Sequence, residues 1–576
     1  MGRRMRAAVL VAAVGFTSAA GTIGGCGGPS AGVAPTGGDD AGDATSEAGD
    51  SSAAGDAGFD ADGGLTPDVG PLPDALIEPD PSQSLRQVSP LLFGEGMEWT
   101  HYGQDVMLPD PTGATSGTFR PELVSALKAM NIPVMRYPGG TLSDLFHWNQ
   151  TVGPMPSRVW QPDQSAGPDG GLPTLPPNFG PDEYAQFAAQ IGADMHITVN
   201  VGTGSSADAA AWVSYYLGKG IHVKYVEVGN EVYLGGPGSS YPAMAPADYA
   251  AKFDEYASAV RAVDPNVQVM AIGCMIPNWS IAAMGSITQK ADYVAVHVAY
   301  FPFDSMNTAG VDTIDYYWAM MGGTQVMTDA ITALETVVSG ASKPINQAAP
   351  LAMTEHSSLF YPGGSDVPTL LHQVQRNQTL AAAVFSASSY QIMMRDPRIT
   401  YANHINPLSP FWEASITVAP EPTSGYPGSY NTQPTMSAFG YAYQLYRQGA
   451  GGTVIATQAS NVPTFDTPPG GVVPAETGLP ALDPISVKMP DGSLYLYVVN
   501  RDLLNDVGAQ VSLPGATSVA AAEQLNGPAY NARNDPTTPN VVMLQSLAAP
   551  PVIEVNGVRR FVATFPAHSV TRFTLK

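Results

Sequence analysis

Glu231, at the end of VKYVEVGNE (223 to 231), and Glu355, in PLAMTEH (350 to 356), each sit at the end of an apolar run of strand length. A carboxylic acid that protonates a leaving oxygen, opposite a carboxylate that attacks the carbon or activates a water, is the equipment for breaking a glycosidic bond. A single strand-end glutamate is more often structural or solvated. Two that converge on one cleft are harder to read that way. Asn230 precedes the first of the pair, Arg136 lies in VMRYPGG (134 to 140), and Glu98 ends LLFGEGME (91 to 98). An arginine beside a carboxylate depresses its pKa and keeps it ionised, whereas an acid that must keep its proton until the bond breaks needs its pKa raised.

The elements that must bring these residues together are eight apolar runs. Besides the four already named, they are HITVNVG (196 to 202), VQVMAIG (267 to 273), YVAVHVAY (293 to 300) and ITYANHIN (399 to 406). Stretches of helical spacing separate them, among them FRPELVSALKAMN, PDEYAQFAAQIG, ADAAAWVSYYLGKG and PADYAAKFDEYASAVRAV. Strands apolar on both faces and alternating with helices predict an α/β fold with a parallel sheet, and eight repeats predict a closed (β/α)8 TIM barrel over residues 83–450. In that fold active sites lie at the carboxyl ends of the strands, where Glu231 and Glu355 stand. After residue 450 the helical spacing gives way to short alternating runs such as GTVIATQA, SLYLYVVNR and VTRFTLK, predicting an antiparallel β-sandwich domain over 451–576.

The beginning reads differently. Residues 1–26 hold three arginines, an apolar stretch and small residues running into Cys26, the layout of a secretory signal. The ending I-G-G-C resembles the bacterial lipobox, which makes Cys26 the expected lipid attachment site. Export to the cell envelope, as an anchored lipoprotein or a secreted protein, follows from that reading. Residues 27–82 carry twelve acidic residues and no Lys or Arg, and read as a disordered acidic tether. Cys26 and Cys274 are the two cysteines of the 576-residue chain, so a lipidated Cys26 leaves Cys274 as a small buried hydrophobe. The net charge of -25 argues against nucleic-acid partners and against a membrane surface except through the lipid.

Several segments together resemble glycoside hydrolase family 51, the α-L-arabinofuranosidases, within the clan of retaining (β/α)8 glycosidases. They are RYPGGTLSDLFHWNQTVGP (136 to 154), VEVGNEVYLGG, DYAAKFDEYASAVRAVDPNVQVMAIG, and in the last domain DGSLYLYVVNR and FPAHSVTRFTLK. The likeness covers most of residues 88–576. It implies that Glu231 is the general acid/base and Glu355 the nucleophile. It further implies that Asn230 holds the sugar 2-hydroxyl, that Glu98 binds the sugar, and that Arg136 keeps the nucleophile ionised. The pattern departs from the family at four places. Thr141 follows Gly139-Gly140 where Asn is usual, and His356 follows the nucleophile where Trp is usual. His297 and Tyr300 are spaced by two residues rather than one, and ANHINPLSPFW lacks the usual Ala-Gln. All four positions are expected to border the sugar pocket, so they bear on which sugar is accepted.

Trp148, with Trp99 and Trp412, stands near a strand end, where stacking on a sugar and packing in the core are equally open. The nine histidines show no HExxH and no cluster, so neither a metal nor another cofactor is expected. The carbohydrate is the expected partner. Two other readings stand beside the arabinofuranosidase: another enzyme of the clan (a β-xylosidase, endoglucanase or galactofuranosidase), and a glycan-binding lipoprotein without turnover.

Overall fold

The computed structural model describes residues 72–100, 106–108, 110–162, 174–274, 277–306, 313–362, 375–405, 407–409, 413–417 and 434–576. Cys26, the signal segment, most of the tether and Trp412 lie outside the described residues.

Eight parallel strands close into a barrel. In order they are Gly94–Gly96, Val134–Tyr137, Asp194–Val199, Tyr225–Val228, Gln268–Ile272, Tyr293–Val296, Leu351–Pro362 and Ile399–His404. The eighth pairs with the first through Asn403↔Gly94 and His404↔Glu95, which completes the ring. A further strand, Ala299–Met306, follows the sixth and pairs alongside the seventh. Among the described residues one helix follows each barrel strand or precedes the next, from Pro121–Ala129 to Ala438–Arg447. Their starts explain their positions. Pro121, Pro181 and Pro246 stand at the first helical turn, where proline costs no hydrogen bond, with Glu122, Asp182 and Asp248 on the positive end of the helix dipole. Ser205 and Thr379 instead cap their helices through side-chain oxygens that accept from Asp208 N and Ala382 N.

The barrel interior below its mouth is filled by aromatic rings. Tyr225 and Tyr401 meet edge to face at 5.1 Å, Tyr293 packs on Tyr401, and His196 Nδ1 lies 2.8 Å from the Tyr401 hydroxyl. This makes a solid floor under the strand ends rather than a pore.

The second domain is one ten-stranded sheet that includes Thr453–Ser460, Leu482–Lys488, Leu494–Asn500, Val507–Ser512 and Ser569–Leu575. It also takes in Leu76–Gln87, which pairs antiparallel with Thr453–Ser460 and parallel with Val507–Ser512. Residues 76–82 are therefore part of the sheet and not of a tether, and the strand crosses the expected boundary at residue 82. The cause is local: Ala75 and Ile77 bury completely in the sheet's inner core, while register shifts after Asp80 and Ser84 accommodate the Pro-rich middle. Side chains alternate across Leu494–Asn500. Leu494, Leu496 and Val498 face the inner core, while Tyr497 and Val499 join the barrel's core. The Tyr497 ring stacks on Tyr446 at 4.7 Å, and Arg395 Nη2 donates to Asp483 Oδ1 at 2.7 Å, so the sheet docks on the last two barrel helices. Cys274 is buried beside Ser280, as a small hydrophobe would be.

Candidate active site

Arg136 is the centre of the barrel mouth. Its guanidinium sends Nε to Glu227 Oε2 at 2.5 Å, Nη1 to Glu355 Oε1 at 2.6 Å and Nη2 to Asn230 Oδ1 at 2.8 Å. The group is buried, and its three directions tie the second barrel strand to the fourth and the seventh. A planar fork of this kind can hold two carboxylates and an amide at once; an ammonium cannot.

Glu355 is further bound by the Tyr300 hydroxyl, which donates to its Oε2. Burial alone would raise the Glu355 pKa, but the charges of His297 and Arg136 and the Tyr300 hydrogen bond outweigh it and hold the carboxyl below its ordinary value. Glu231 stands opposite, its Oε1 taking the Tyr233 hydroxyl at 3.1 Å and lying 2.9 Å from His297 Nδ1. The same Nδ1 is 3.8 Å from Glu355 Oε2. The two glutamate oxygens are thus no farther apart than those two legs combined. That limit admits the about 5–5.5 Å spacing of retaining glycosidases and reaches only the lower edge of the about 6.5–9.5 Å of inverting ones.

The glycine pair explains how the cleft stays open. A Cβ on Gly140 would stand 2.6 Å from Glu355 Oε1, and one on Gly139, whose φ is +126°, 2.6 Å from Glu98 Cγ. Glu98 and Glu355 therefore flank the same turn. Gly140→Ala should push Glu355 off Arg136 and lower kcat by about 10²-fold with the fold retained, because misplacement of a reacting group by about 1 Å has that effect. Steady-state kinetics beside a circular dichroism melt would check it.

Two residues expected at the sugar pocket lie elsewhere. His356 follows Glu355 on a strand, so its side chain points to the opposite face, into the layer between barrel wall and helices. There it is buried against Tyr390 and His404, with burial and the His404 charge pushing its pKa well down. Trp148 stacks on Trp212 at 6.0 Å with planes 4° apart, donates its indole N–H to Asp208 O, and borders a rim pocket with Asn200 and Ser205 rather than the carboxylate cleft. Trp99 is core, stacked on Phe146.

Sequence reasoning missed three residues of the site. Glu227 is fully buried under Arg136, and Thr354 donates to its Oε1 at 2.9 Å. Burial opposes the Glu227 charge, but the Arg136 cation outweighs burial and keeps the carboxylate well below its usual range. A lone charge in the apolar run YVEV was the available signal, since it shares a strand face with Gly229 and Glu231. Asp144 accepts backbone N–H groups from Val201, Gly202 and Asn230, which fixes the turn that carries Asn230; burial pushes its pKa up to about 6.

Behind the barrel wall a second buried set has no part in the cleft. His404 lies between Glu95 Oε2 at 3.3 Å and Glu413 Oε2 at 3.5 Å. Burial disfavours its charge, but the two carboxylates prevail and push its pKa up to about 9. A histidine with a folded pKa above its unfolded one stabilises the fold fully below about pH 6.5, and that contribution is lost as pH rises through about 9. Unfolding free energy should therefore fall by about 3 kcal/mol across that window. Urea melts at pH 6.5 and 9 would show this, and His404→Gln, less stable at pH 6.5, should lose the slope.

Among the described residues no group of histidine, cysteine and carboxylate side chains could hold a metal, and no helix is long and apolar enough to cross a membrane.

A closed (β/α)8 barrel with two glutamates facing one another at its mouth has the architecture of glycoside hydrolases of this fold. Residues 126–307 match the family model of the α-L-arabinofuranosidase 1 domain. α-L-Arabinofuranosidase C of Emericella nidulans is 28% identical over 258 residues, 41% of this chain and 47% of that protein. An intracellular exo-α-L-arabinofuranosidase of Bacteroides ovatus is 28% identical over 225 residues, 35% of this chain and 42% of that protein. The chain thus spans about half the length, or less, of the curated relatives it matches. The crystal structure of the family 51 arabinofuranosidase from Xanthomonas axonopodis pv. citri superposes with a TM-score of 0.71 at 21% identity, covering 87% of this chain and 99% of that one. The chain thus shares the (β/α)8 fold of that structure, and its segment 126–307 is similar to the α-L-arabinofuranosidase 1 domain.

Proposed function

We propose that the chain is a retaining glycoside hydrolase that releases α-L-arabinofuranosyl groups from arabinose-containing polysaccharides or oligosaccharides. The observation that carries the reading is that Glu231 and Glu355 meet at one imidazole, while Glu355 alone is held by the Arg136 cation. An ionised Glu355 attacks the anomeric carbon as the Glu231 carboxyl gives its proton to the leaving oxygen. Water then enters beside Glu231, which takes a proton from it as the glycosyl ester on Glu355 breaks. Asn230, held by Arg136 on its carbonyl side, keeps an amide N–H₂ to offer a sugar hydroxyl, and Glu98 on the opposite side of the glycine turn can accept one.

A panel of nitrophenyl glycosides tests the sugar, and proton NMR of the first-formed product tests the stereochemistry. Fastest turnover of the α-L-arabinofuranoside with retained configuration is the expected result. Preference for a xyloside or glucan would move the chain to another activity of the clan. Binding of sugar with no turnover of any substrate would make it a glycan-binding protein. We extend the proposal to location: Cys26 carries lipid and holds the enzyme at the cell envelope, so Cys26→Ser should release it to the soluble fraction.

A further inference from the structure

Thr354 lies one residue before Glu355, yet its hydroxyl faces down into the barrel, between Glu227 Oε1 at 2.9 Å and His297 Nε2 at 3.0 Å. A threonine hydroxyl has one proton to give. Glu227, ionised and accepting already from Arg136 Nε and from Thr198 Oγ1 at 2.9 Å, can only accept. Turning the Thr354 proton toward His297 would set two lone-pair oxygens against each other, so the proton goes to Glu227. Thr354 therefore meets Nε2 as an acceptor, and Nε2 carries hydrogen. On the other side of the ring, Nδ1 faces Glu231 Oε1, which also takes the Tyr233 hydroxyl.

We propose that Thr354, oriented by Glu227, is a positioning residue that holds His297 as a doubly protonated imidazolium through both halves of the reaction, leaving Glu231 Oε2 as the oxygen that cycles the catalytic proton. The inference rests on the reading of Glu231 as acid/base. Charge bookkeeping supports it. Before bond cleavage Arg136 and His297 are positive, Glu227 and Glu355 negative and Glu231 neutral, so these five hydrogen-bonded groups sum to zero. In the covalent intermediate Glu355 is an uncharged ester and Glu231 has given up its proton, so the same five groups sum to zero again. With a neutral His297 this set would carry a net negative charge in both states, in a buried setting where that is costly. The groups that face the ring are Glu231 from the fourth strand, Glu355 and Thr354 from the seventh, Arg136 from the second and Tyr300 from the strand beyond the sixth, with Glu227 beneath Thr354. Burial and Arg136 disfavour a charged ring, while the two glutamates favour it more strongly.

The test uses the protein labelled with 15N-histidine, His297 being assigned by its loss in His297→Asn. Both His297 nitrogens should show protonated shifts from pH 5 to 8 in the wild type and in Thr354→Ser, which keeps the hydroxyl. In Thr354→Val the ring should lose its proton about one pH unit lower, the size of one lost hydrogen bond, and the basic limb of kcat/KM should move down with it. A neutral His297 in the wild type at pH 6 overturns the proposal, as does a Thr354→Val profile that coincides with the wild type apart from a uniform loss. If Thr354→Val fails to fold, the wild-type and Thr354→Ser titrations still decide. Because those titrations need no turnover, they stand apart from the glycoside panel: absence of hydrolysis by the wild type would sink the assignment of Glu231 without altering the charge found on His297.

Discussion

Glu355→Ala should lower turnover of an α-L-arabinofuranoside by on the order of 10⁴-fold, because it removes the atom that forms the bond rather than one that helps it form. Azide should restore part of the rate. The vacated space lies beside Arg136 Nη1, which attracts a small anion, and attack from there yields a glycosyl azide of inverted configuration. Glu231→Gln should behave differently. Loss of a general acid costs about 10² to 10⁴ on substrates with a sugar leaving group, and less on nitrophenyl glycosides, whose leaving group hardly needs protonation. A variant pair with equal losses on both substrate types would break the division of roles. So would azide rescue of the Glu355 variant with retained configuration.

Arg136→Lys is the second large effect, and charge conservation does not soften it. One ammonium cannot reach Glu227, Glu355 and Asn230 together, so at least one buried carboxylate loses its partner. Breaking a buried pair in this way costs about 3–5 kcal/mol of stability. Glu355 has a folded pKa below its ordinary value, so its contribution to stability is present above that ordinary value and is lost as pH falls through the lowered one. In Arg136→Lys the Glu355 pKa should rise, part of that contribution should vanish, and the acid limb of kcat/KM should move to higher pH. A pH–rate profile and urea melts at pH 5 and 7 measure both consequences. An unchanged acid limb would show that Arg136 does not set the ionisation of Glu355.

The barrel was legible because its strands are apolar on both faces and its helices begin with proline and acidic residues, signals that act over a few residues. The sandwich was less so. Val519–Asn526, sequence VAAAEQLN, has the composition of a helix but is a strand, because it lies between Met543–Leu547 and Ser569–Leu575 and both neighbours offer ladder hydrogen bonds. Leu76–Gln87 was hidden by its two prolines and its acidic flank, and its place in the sheet depends on partners more than 350 residues away.

The site divides in the same manner. Glu231, Asn230, Glu355 and Arg136 are strand-end residues in distinctive motifs, and strand-end position is a local property that sequence carries. His356 was expected at the sugar pocket because it takes the place after the nucleophile where the resembled family usually has Trp, whereas adjacent residues on a strand face opposite sides. Glu227 and Thr354 stayed unseen because their meaning lies in contacts across the barrel, to Arg136 and His297, between strands distant in the chain. Residue type and local periodicity determined which groups could do chemistry and at which end of the barrel they stand. Closure of the ring decided which of them touch, since only it brings the second, fourth, sixth and seventh strands around one buried guanidinium and one imidazole.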